Sequence, residues 1–401
     1  MTKKKLVACL TAMLLVLSCL PALGATAESE RKVLTIAQGG DISTFDMQNH
    51  NNGVTGAVLC NFSHGLVERA DADNSWVCVL AESYQMIDDS TWEFKLRHDV
   101  TWHNGDPFTA ADVKWTYERV AQDDQLKENH IFKIIKEVQI IDDYTVRFIT
   151  DGPYPTMLSL LSKNGSQVMP SKYIQENGLD YYLEHPIGCG PYKFKEWVKD
   201  SVVVLERYDD YFGGTPYWDE VRFRSIPEAS TRVAELLSGD VDIITNVPTN
   251  EWDRIDQNEG TEIVLGNGTR VFNVIMKWNT SPTQNQKVRE AVAYAIDAKS
   301  IIASVLKNAG TPCYTRIAPG VFGQDTSLYD IDKYDAQKAK ELIAESGYNG
   351  EEIELLVPSG RYLMDSEVGK IVAAMLQQVG LNVRVNVLEW SAYINKFNVG
   401  D

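Results

Sequence analysis

The chain has 401 residues, with 38 Lys and Arg against 56 Asp and Glu, and a formal net charge of −18. A surface this acidic repels phosphates, which excludes a role in binding nucleic acid. Hydrophobic residues make up 44% of the chain, so a packed globular protein is expected and not a disordered one. The length exceeds what one ordinary core supports, and two or three domains are expected.

The N-terminus predicts export. Three lysines, Lys3–Lys5, precede an apolar run over 6–20, and the small residues Ala25–Ala27 follow. This order is typical of a secretory signal peptide, here over residues 1–27. An uncleaved anchor is the alternative, but the run is shorter than the ~20 residues that a spanning helix needs. Lipidation at Cys19 is a second alternative, and we expect a protein in the periplasm or on the outer face of the cytoplasmic membrane.

The cysteines indicate no metal or redox motif. No C-x-x-C pair is present, so neither a zinc knuckle nor a thioredoxin-type site is predicted. Export permits disulfides, and four cysteines allow three pairings among which the sequence does not choose. The four that remain after cleavage are Cys60, Cys78, Cys189 and Cys313.

Short strands alternate with helices along the chain, and the spacing of apolar residues predicts each of them. An antiparallel part is expected around 91–150, within an α/β protein. The predicted strands are 91–97, 137–141, 144–150, 201–206, 241–245, 271–278, 352–357 and 382–388. The predicted helices are 229–237, 287–296, 336–346 and 368–379, with stops at Gly239, Gly347 and Gly380, and a short helical pattern follows 388.

The stretch TWHNGDPFTAADVKW at 101–115 gathers His, Asp and Thr as a catalytic or metal site would. Its spacing favours a structural interpretation. The segment 104–107 has the residues of a turn, and Thr109 with Asp112 forms a capping box for a helix over 110–120. A metal site would need further ligands converging on His103, and no such spacing is present.

No catalytic motif is found. The six histidines form no H-E-x-x-H, and no G-x-S-x-G, S-x-x-K or Walker loop occurs. The segment GCGPY at 188–192 predicts a tight crossing of the backbone; a thiol nucleophile at Cys189 is the alternative. Acidic pairs such as Asp240 and Asp242 have no specificity in so acidic a chain. We therefore expect a protein that is not an enzyme.

Seven blocks in order resemble the solute-binding protein family 5, the extracytoplasmic peptide- and nickel-type receptors of ABC importers. The sharpest block is 96–119, around the stretch quoted above. Two blocks depart from the family pattern: Met47 replaces a proline after Ser43–Asp46, and Cys189 stands at a threonine position in 186–192. The other four are 205–212, 237–243, 278–279 together with 287–297, and 339–348, and the resemblance covers roughly residues 33 to 401.

The resemblance implies a two-lobed periplasmic-binding-protein clamshell of type II. Lobe I would comprise 33–66 and 186–268, with an extra subdomain at 67–185, and lobe II would comprise 269–401. The family's last segment returns to lobe I, and the resemblance places it after Asp401, together with the acidic residue that peptide-binding members use for the ligand's α-amino group. Lobe II would then be incomplete, the chain a fragment or truncated product, and some strands would present unpaired edges.

Some residues match positions that line the ligand cleft in the family, and the resemblance implies that they contact the ligand. Arg361 could bind a carboxylate with its planar fork, or be a solvated loop cation. Lys396 offers a second positive charge, and Trp390 offers an aromatic face unless it is ordinary core. The expected ligand-binding residues are Asn51, Asn52, Gly53, Arg361, Tyr362, Trp390 and Lys396.

The function implied by the resemblance is capture of small peptides, from dipeptides to oligopeptides, for delivery to ABC permease subunits without chemistry on the ligand. A monomer is expected, with no cofactor, no metal and no nucleic acid. An oligosaccharide receptor of the same family is the alternative, favoured if Trp390 and Trp278 both face the cleft. A nickel-chelate receptor lacks a His cluster, and an exported hydrolase is the alternative from another class.

Overall fold

The computed structural model describes residues 31–70, 75–266, 268–359 and 361–399. The predicted signal peptide and Cys19 lie outside the described residues. Within them the strands are β1 (Val33–Gln38), β2 (Val67–Arg69), β3 (Trp76–Cys78), β4 (Ala81–Asp88), β5 (Thr91–Leu96), β6 (Ile135–Asp142), β7 (Thr145–Thr150), β8 (Tyr192–Val198), β9 (Val202–Arg207), β10 (Glu220–Ser225), β11 (Ile243–Ile244), β12 (Ile353–Ser359) and β13 (Val383–Glu389).

The helices that the sequence predicted begin and end close to the predicted positions, and the remaining helices, which are short, were not predicted. Gly239 and Gly347 end two of them in the left-handed conformation, with φ of 81° and 75°, where a side chain would be strained. The helices are α1 (Gly53–Leu59), α2 (Ala110–Gln122), α3 (Asn129–Phe132), α4 (Met157–Leu161), α5 (Ser171–Asn177), α6 (Leu179–Glu184), α7 (Ala229–Ser238), α8 (Trp252–Asp256), α9 (Gln286–Ala295), α10 (Ala298–Ser304), α11 (Ala336–Ser346), α12 (Asp365–Gln378) and α13 (Trp390–Val399).

A five-stranded mixed sheet brings the N-terminal strand together with strands from 192–244. Its order is β11-β1-β10-β9-β8, and β1 runs parallel to both of its neighbours. Phe45, Phe62 and Phe223 are buried in the core on this sheet, and each such side chain contributes about 1.5–3 kcal/mol. The N-terminal loop after β1 is thereby fixed at the carboxyl end of a central strand.

The predicted antiparallel part is confirmed. Four strands pair in the order β4-β5-β7-β6, and α2 packs against β6. The period-2 pattern of β5 buries Trp92, Phe94 and Leu96 as expected. This unit has its own large core, which also includes Tyr117 and Phe148 in edge contact at 5.0 Å.

The C-terminal part has a third core built on a parallel strand pair. β12 and β13 pair in register from Ile353 opposite Val383 to Ser359 opposite Glu389. The apolar faces of α9, α11 and α12 pack together and against these strands, around Val288, Leu342 and Leu376. Parallel pairing brings the carboxyl ends of both strands to one edge.

The prediction of a strand over 271–278 is wrong. The segment is irregular, although Val274 and Met276 pack against the C-terminal core while Ile275 and Trp278 are exposed. The segment therefore buries two of its apolar side chains without forming a strand. A strand also needs a hydrogen-bonded neighbour, and in the described residues β12 and β13 pair only with each other. The predicted strand at 241–245 is likewise reduced to the two residues of β11.

In 31–70, 75–266, 268–359 and 361–399, no helix is both long enough and apolar enough to span a bilayer.

Candidate ligand-binding site

Three of the predicted site residues lie where β12 and β13 end. Arg361 and Tyr362 follow β12, and Trp390 follows β13 directly. Because Ser359 is paired with Glu389 at the end of the parallel ladder, the loop after β12 and the start of α13 leave the sheet side by side. Ligands of open α/β proteins bind at this kind of edge, beyond the carboxyl ends of the strands.

A buried carboxylate fixes the loop that carries Arg361. Asp365 is 6% exposed and accepts hydrogen bonds from the backbone N–H of Arg361 at 3.0 Å and of Tyr362 at 2.9 Å. Met364, just before it, has a φ of 53°. The loop is thus closed on the first residue of α12, and the half-buried side chains of Arg361 and Tyr362 are held in a defined direction.

Aromatic rings hold the guanidinium of Arg361. The centroids of Tyr362 and Trp390 each lie 5.3 Å from its Cζ, and the two rings meet edge to face at 5.6 Å. Tyr393, one turn along α13, stacks on Trp390 at 5.7 Å. Cation–π contacts of this kind contribute about 0.5–1 kcal/mol at exposed sites and restrict the side chain to a few rotamers. Arg361 is therefore preorganised and is not a freely solvated cation.

The loop after β1 approaches this guanidinium from the other end of the chain. Asn52 caps α1, with Oδ1 accepting from Val54 N at 2.8 Å, and Gly53 is the first helical residue. A Cβ built on Gly53 would be 4.0 Å from Nη2 of Arg361. Asn51 is exposed beside it. The structure thus brings Gly53 and Arg361 together, as the sequence prediction of a shared site requires.

Lys396 is directed elsewhere. Its Nζ lies 3.5 Å from Oε2 of Glu354 on β12, and that carboxylate also accepts from Asn386 at 2.8 Å and from Arg384 at 3.0 Å. The Asn386 hydrogen bond, ahead of the two cations, lowers the pKa of Glu354. The charge of Lys396 is balanced within this group, and its role in ligand binding stays a prediction.

The sequence reasoning missed three residues of this cluster. The guanidinium of Arg270 lies 4.7 Å from the Tyr362 centroid, and Phe272 meets the same ring at 6.1 Å. Phe272 belongs to the segment predicted as a strand and Arg270 directly precedes it, and the strand prediction gave no reason to place either residue at the site. Tyr393 could have been found from its helical spacing to Trp390.

The stretch at 101–115 is structural. Asp112 is buried and accepts from Thr109 N at 3.0 Å, so the predicted box is present at the start of α2. His103 accepts from Gly188 N through Nδ1 and donates to Gly190 O through Nε2, both at 3.0 Å. Burial lowers the pKa of His103 to about 4. Across the described part of the chain, no group of three or more His, Cys, Asp and Glu could hold a metal ion.

The GCGPY segment is the tight crossing that its sequence predicted. A Cβ on Gly188 would lie 2.1 Å from the carbonyl oxygen of Phe62, and one on Gly190 would lie 2.6 Å from the Phe62 carbonyl carbon. Cys189 between them is fully buried, and burial raises its pKa to about 11. A thiol held protonated and away from solvent is a poor nucleophile. The four described cysteines are free.

Comparison with known proteins defines the class. Residues 76–401 match the family described as bacterial extracellular solute-binding proteins, family 5 Middle. The chain belongs to this family, which confirms the resemblance drawn from the sequence blocks.

Individual relatives give the details. The glutathione-binding protein GsiB of Salmonella paratyphi A is 27% identical over 89% of this chain and 70% of its own length. The oligopeptide-binding protein AppA of Bacillus subtilis is 29% identical over 84% of this chain and 66% of its own length. These relatives are named as binding proteins and not as enzymes.

Solved structures confirm the periplasmic-binding-protein fold. AgaA of A. tumefacien R10, in complex with agropinic acid, superposes with a TM-score of 0.79 at 29% identity, covering 92% of this chain and 75% of AgaA. DppA of Helicobacter pylori, in complex with the peptide STSA, superposes with a TM-score of 0.78 at 26% identity, covering 92% of this chain and 77% of DppA.

Proposed function

We propose that this protein is the receptor of an ABC importer and captures small peptides between two segments. One is the loop after β1 that leads into Gly53 (the Gly53 loop), and the other is the loop between β12 and α12 (the Arg361 loop). The observation that carries the proposal is the guanidinium of Arg361, held by Tyr362 and Trp390 and facing Gly53. A planar fork so held suits the α-carboxylate of a peptide, which it can bind through two parallel hydrogen bonds. The names of GsiB, AppA and the DppA complex support peptide ligands.

The surrounding residues supply the rest of the site. Gly53, without a side chain, leaves room for ligand backbone beside the guanidinium, and the exposed amide of Asn51 can bond its polar groups. Tyr362 offers an aromatic surface to a peptide side chain. Asn52 acts by capping α1 and so keeps Gly53 in place. Lys396 is the remaining member of the proposed ligand-binding residues; because its charge is paired with Glu354, it would act on the ligand only at longer range.

Three cores support the proposed domains, although Met169, Ile174 and Tyr182 of the 67–185 range pack in the core of the five-stranded sheet. Lobe I comprises 33–66 and 186–268 around the five-stranded sheet, the extra subdomain comprises 67–185 around the antiparallel sheet, and lobe II comprises 269–401 around β12 and β13. Ligand captured between lobes I and II would draw them together by hinge motion. The subdomain with the 101–115 stretch stands apart from the proposed ligand.

The proposed cellular setting follows from the family. A receptor of this kind is exported, here by a signal peptide over 1–27, or is anchored through a lipid on Cys19. It works as a monomer and passes its ligand to permease subunits unchanged.

An oligosaccharide is the second candidate ligand, and the 75% exposure of Trp278 is the observation that favours it. Sugar receptors stack pyranose rings on open aromatic faces. Trp390, the other ring that would be needed, is already stacked by Tyr393 and covered by Arg361. The engagement of Trp390 favours peptides.

Isothermal titration of the purified protein tests the proposal, after partial unfolding and refolding to remove co-purified ligand. Di- to pentapeptides are titrated in parallel with cello- and xylo-oligosaccharides. Binding of peptides, recovered intact by mass spectrometry, is the expected result. Heat from the oligosaccharides alone would replace the peptide proposal with the sugar receptor, and cleaved peptides would indicate a hydrolase.

A further inference from the structure

Two arginines flank one tyrosine ring at the proposed site. The Cζ of Arg270 is 4.7 Å and the Cζ of Arg361 is 5.3 Å from the centroid of Tyr362, so the two carbons lie within about 10 Å of each other. Phe272 packs on the same ring and anchors the segment that carries Arg270. Both cations therefore lie against the same ring, and Arg361 also faces Gly53.

Neither guanidinium has a carboxylate partner among the residues that the structure describes, within the 4.0 Å that defines an ion pair. Other cations nearby are balanced: Arg384 pairs with both Glu352 and Glu354, and Lys396 pairs with Glu354. Asp365, the carboxylate of the Arg361 loop, accepts from backbone N–H groups. Two adjacent unbalanced positive charges are unusual in a chain with a net charge of −18, and like charges held this close repel each other.

We propose that Arg270 and Arg361 together select peptides with two carboxylates, namely the C-terminal α-carboxylate and an acidic side chain at the last or next-to-last position. The inference rests on the proposed function and names the ligand class of the same site. One residue of chain spans ~3.5 Å, so the two carboxylates of such a peptide lie roughly 4 to 8 Å apart, within the reach of the two guanidinium groups. Each arginine binds one carboxylate while its flat face stays on Tyr362.

The experiment compares Ala-Ala-Glu with Ala-Ala-Gln, which differ by one charge at almost the same size. Affinities are measured by titration calorimetry on wild type, Arg270→Gln and the control Lys340→Gln, whose side chain is exposed on α11. Free glutarate is titrated as a dicarboxylate that is not a peptide. Thermal unfolding of each variant checks that the fold is intact, and Arg270→Lys serves if Arg270→Gln fails to fold.

The expected result is a preference for Ala-Ala-Glu of at least about tenfold in wild type, which is 1.4 kcal/mol. Arg270→Gln is expected to reduce the ratio below about threefold, while Lys340→Gln keeps it. In Arg270→Lys the ratio is expected to fall less, since the charge remains without the fork.

The failures of the two proposals are distinguishable. If both peptides bind with equal affinity, or if Arg270→Gln keeps the preference, the two-arginine proposal is overturned and peptide capture stands. If glutarate binds, the peptides do not, and glutarate binding depends on Arg270, then the role of the two arginines stands and peptides are rejected as ligands. If neither the peptides nor glutarate bind, both proposals are overturned.

Discussion

Replacing Arg361 with Gln removes the cation that the proposed site is built around while keeping a polar side chain of similar reach. The side chain is half-buried against Tyr362 and Trp390. A hydrogen bond to a charged group contributes about 1.5–3 kcal/mol, and partial solvent access places this contact near the lower end. We expect Arg361→Gln to weaken binding of a peptide free acid by about 2 kcal/mol, which is about 30-fold in Kd.

The assay is a double-mutant cycle by titration calorimetry, with each peptide as its free acid and as its C-terminal amide. Wild type is expected to bind the free acid more tightly than the amide. Arg361→Gln is expected to lose most of this preference, because the guanidinium that binds the carboxylate is then absent. Arg361→Lys is expected to lie between the two, since it keeps the charge and loses the bidentate geometry. Equal losses for acid and amide in Arg361→Gln would refute the assignment of Arg361 to the α-carboxylate.

Three further predictions concern the frame of the protein. Gly188→Ala is expected to destabilise by about 3 kcal/mol or more in urea unfolding, because its Cβ would meet the carbonyl oxygen of Phe62 at 2.1 Å; Gly40→Ala, with nothing within 4 Å, is the control. Burial lowers the pKa of His103 from 6.5 to about 4, so its contribution to the free energy of unfolding is complete above pH 6.5. That contribution falls between pH 6.5 and 4, because the unfolded chain takes up the proton first. A plot of unfolding free energy against pH should therefore be shallower over this range in His103→Gln. Cys189, fully buried, should react with iodoacetamide only after unfolding, and rapid native alkylation detected by mass spectrometry would contradict its burial.

Local patterns predicted about half of the elements, including the longer helices, because helix caps and apolar spacing act over a few residues. Gly347 ends α11 where the sequence placed the stop, and Asp112 caps α2 as its spacing to Thr109 required. The segment 271–278 failed for a different reason. Val274 and Met276 pack on the core, but a strand also needs a hydrogen-bonded neighbour, which no local pattern specifies.

The candidate site was predictable only in part, for the same reason. Arg361 and Trp390 each follow a predicted strand, and parallel pairing places such residues together. Arg270 lies far from both in sequence, and only the folded chain brings it over Tyr362. Lys396 was predicted from its position after the last strand, but the neighbour that takes its charge, Glu354, lies across the face of the sheet.

The central claim is that one ligand contacts the Gly53 loop and the Arg361 loop at the same time. Hydrogen–deuterium exchange with and without a saturating peptide measures this directly, segment by segment. We predict slower exchange in both 53–59 and 361–365 on peptide addition, with no change in β5, which belongs to the antiparallel sheet. Protection confined to one of the two segments, or equal protection in β5, would contradict the account.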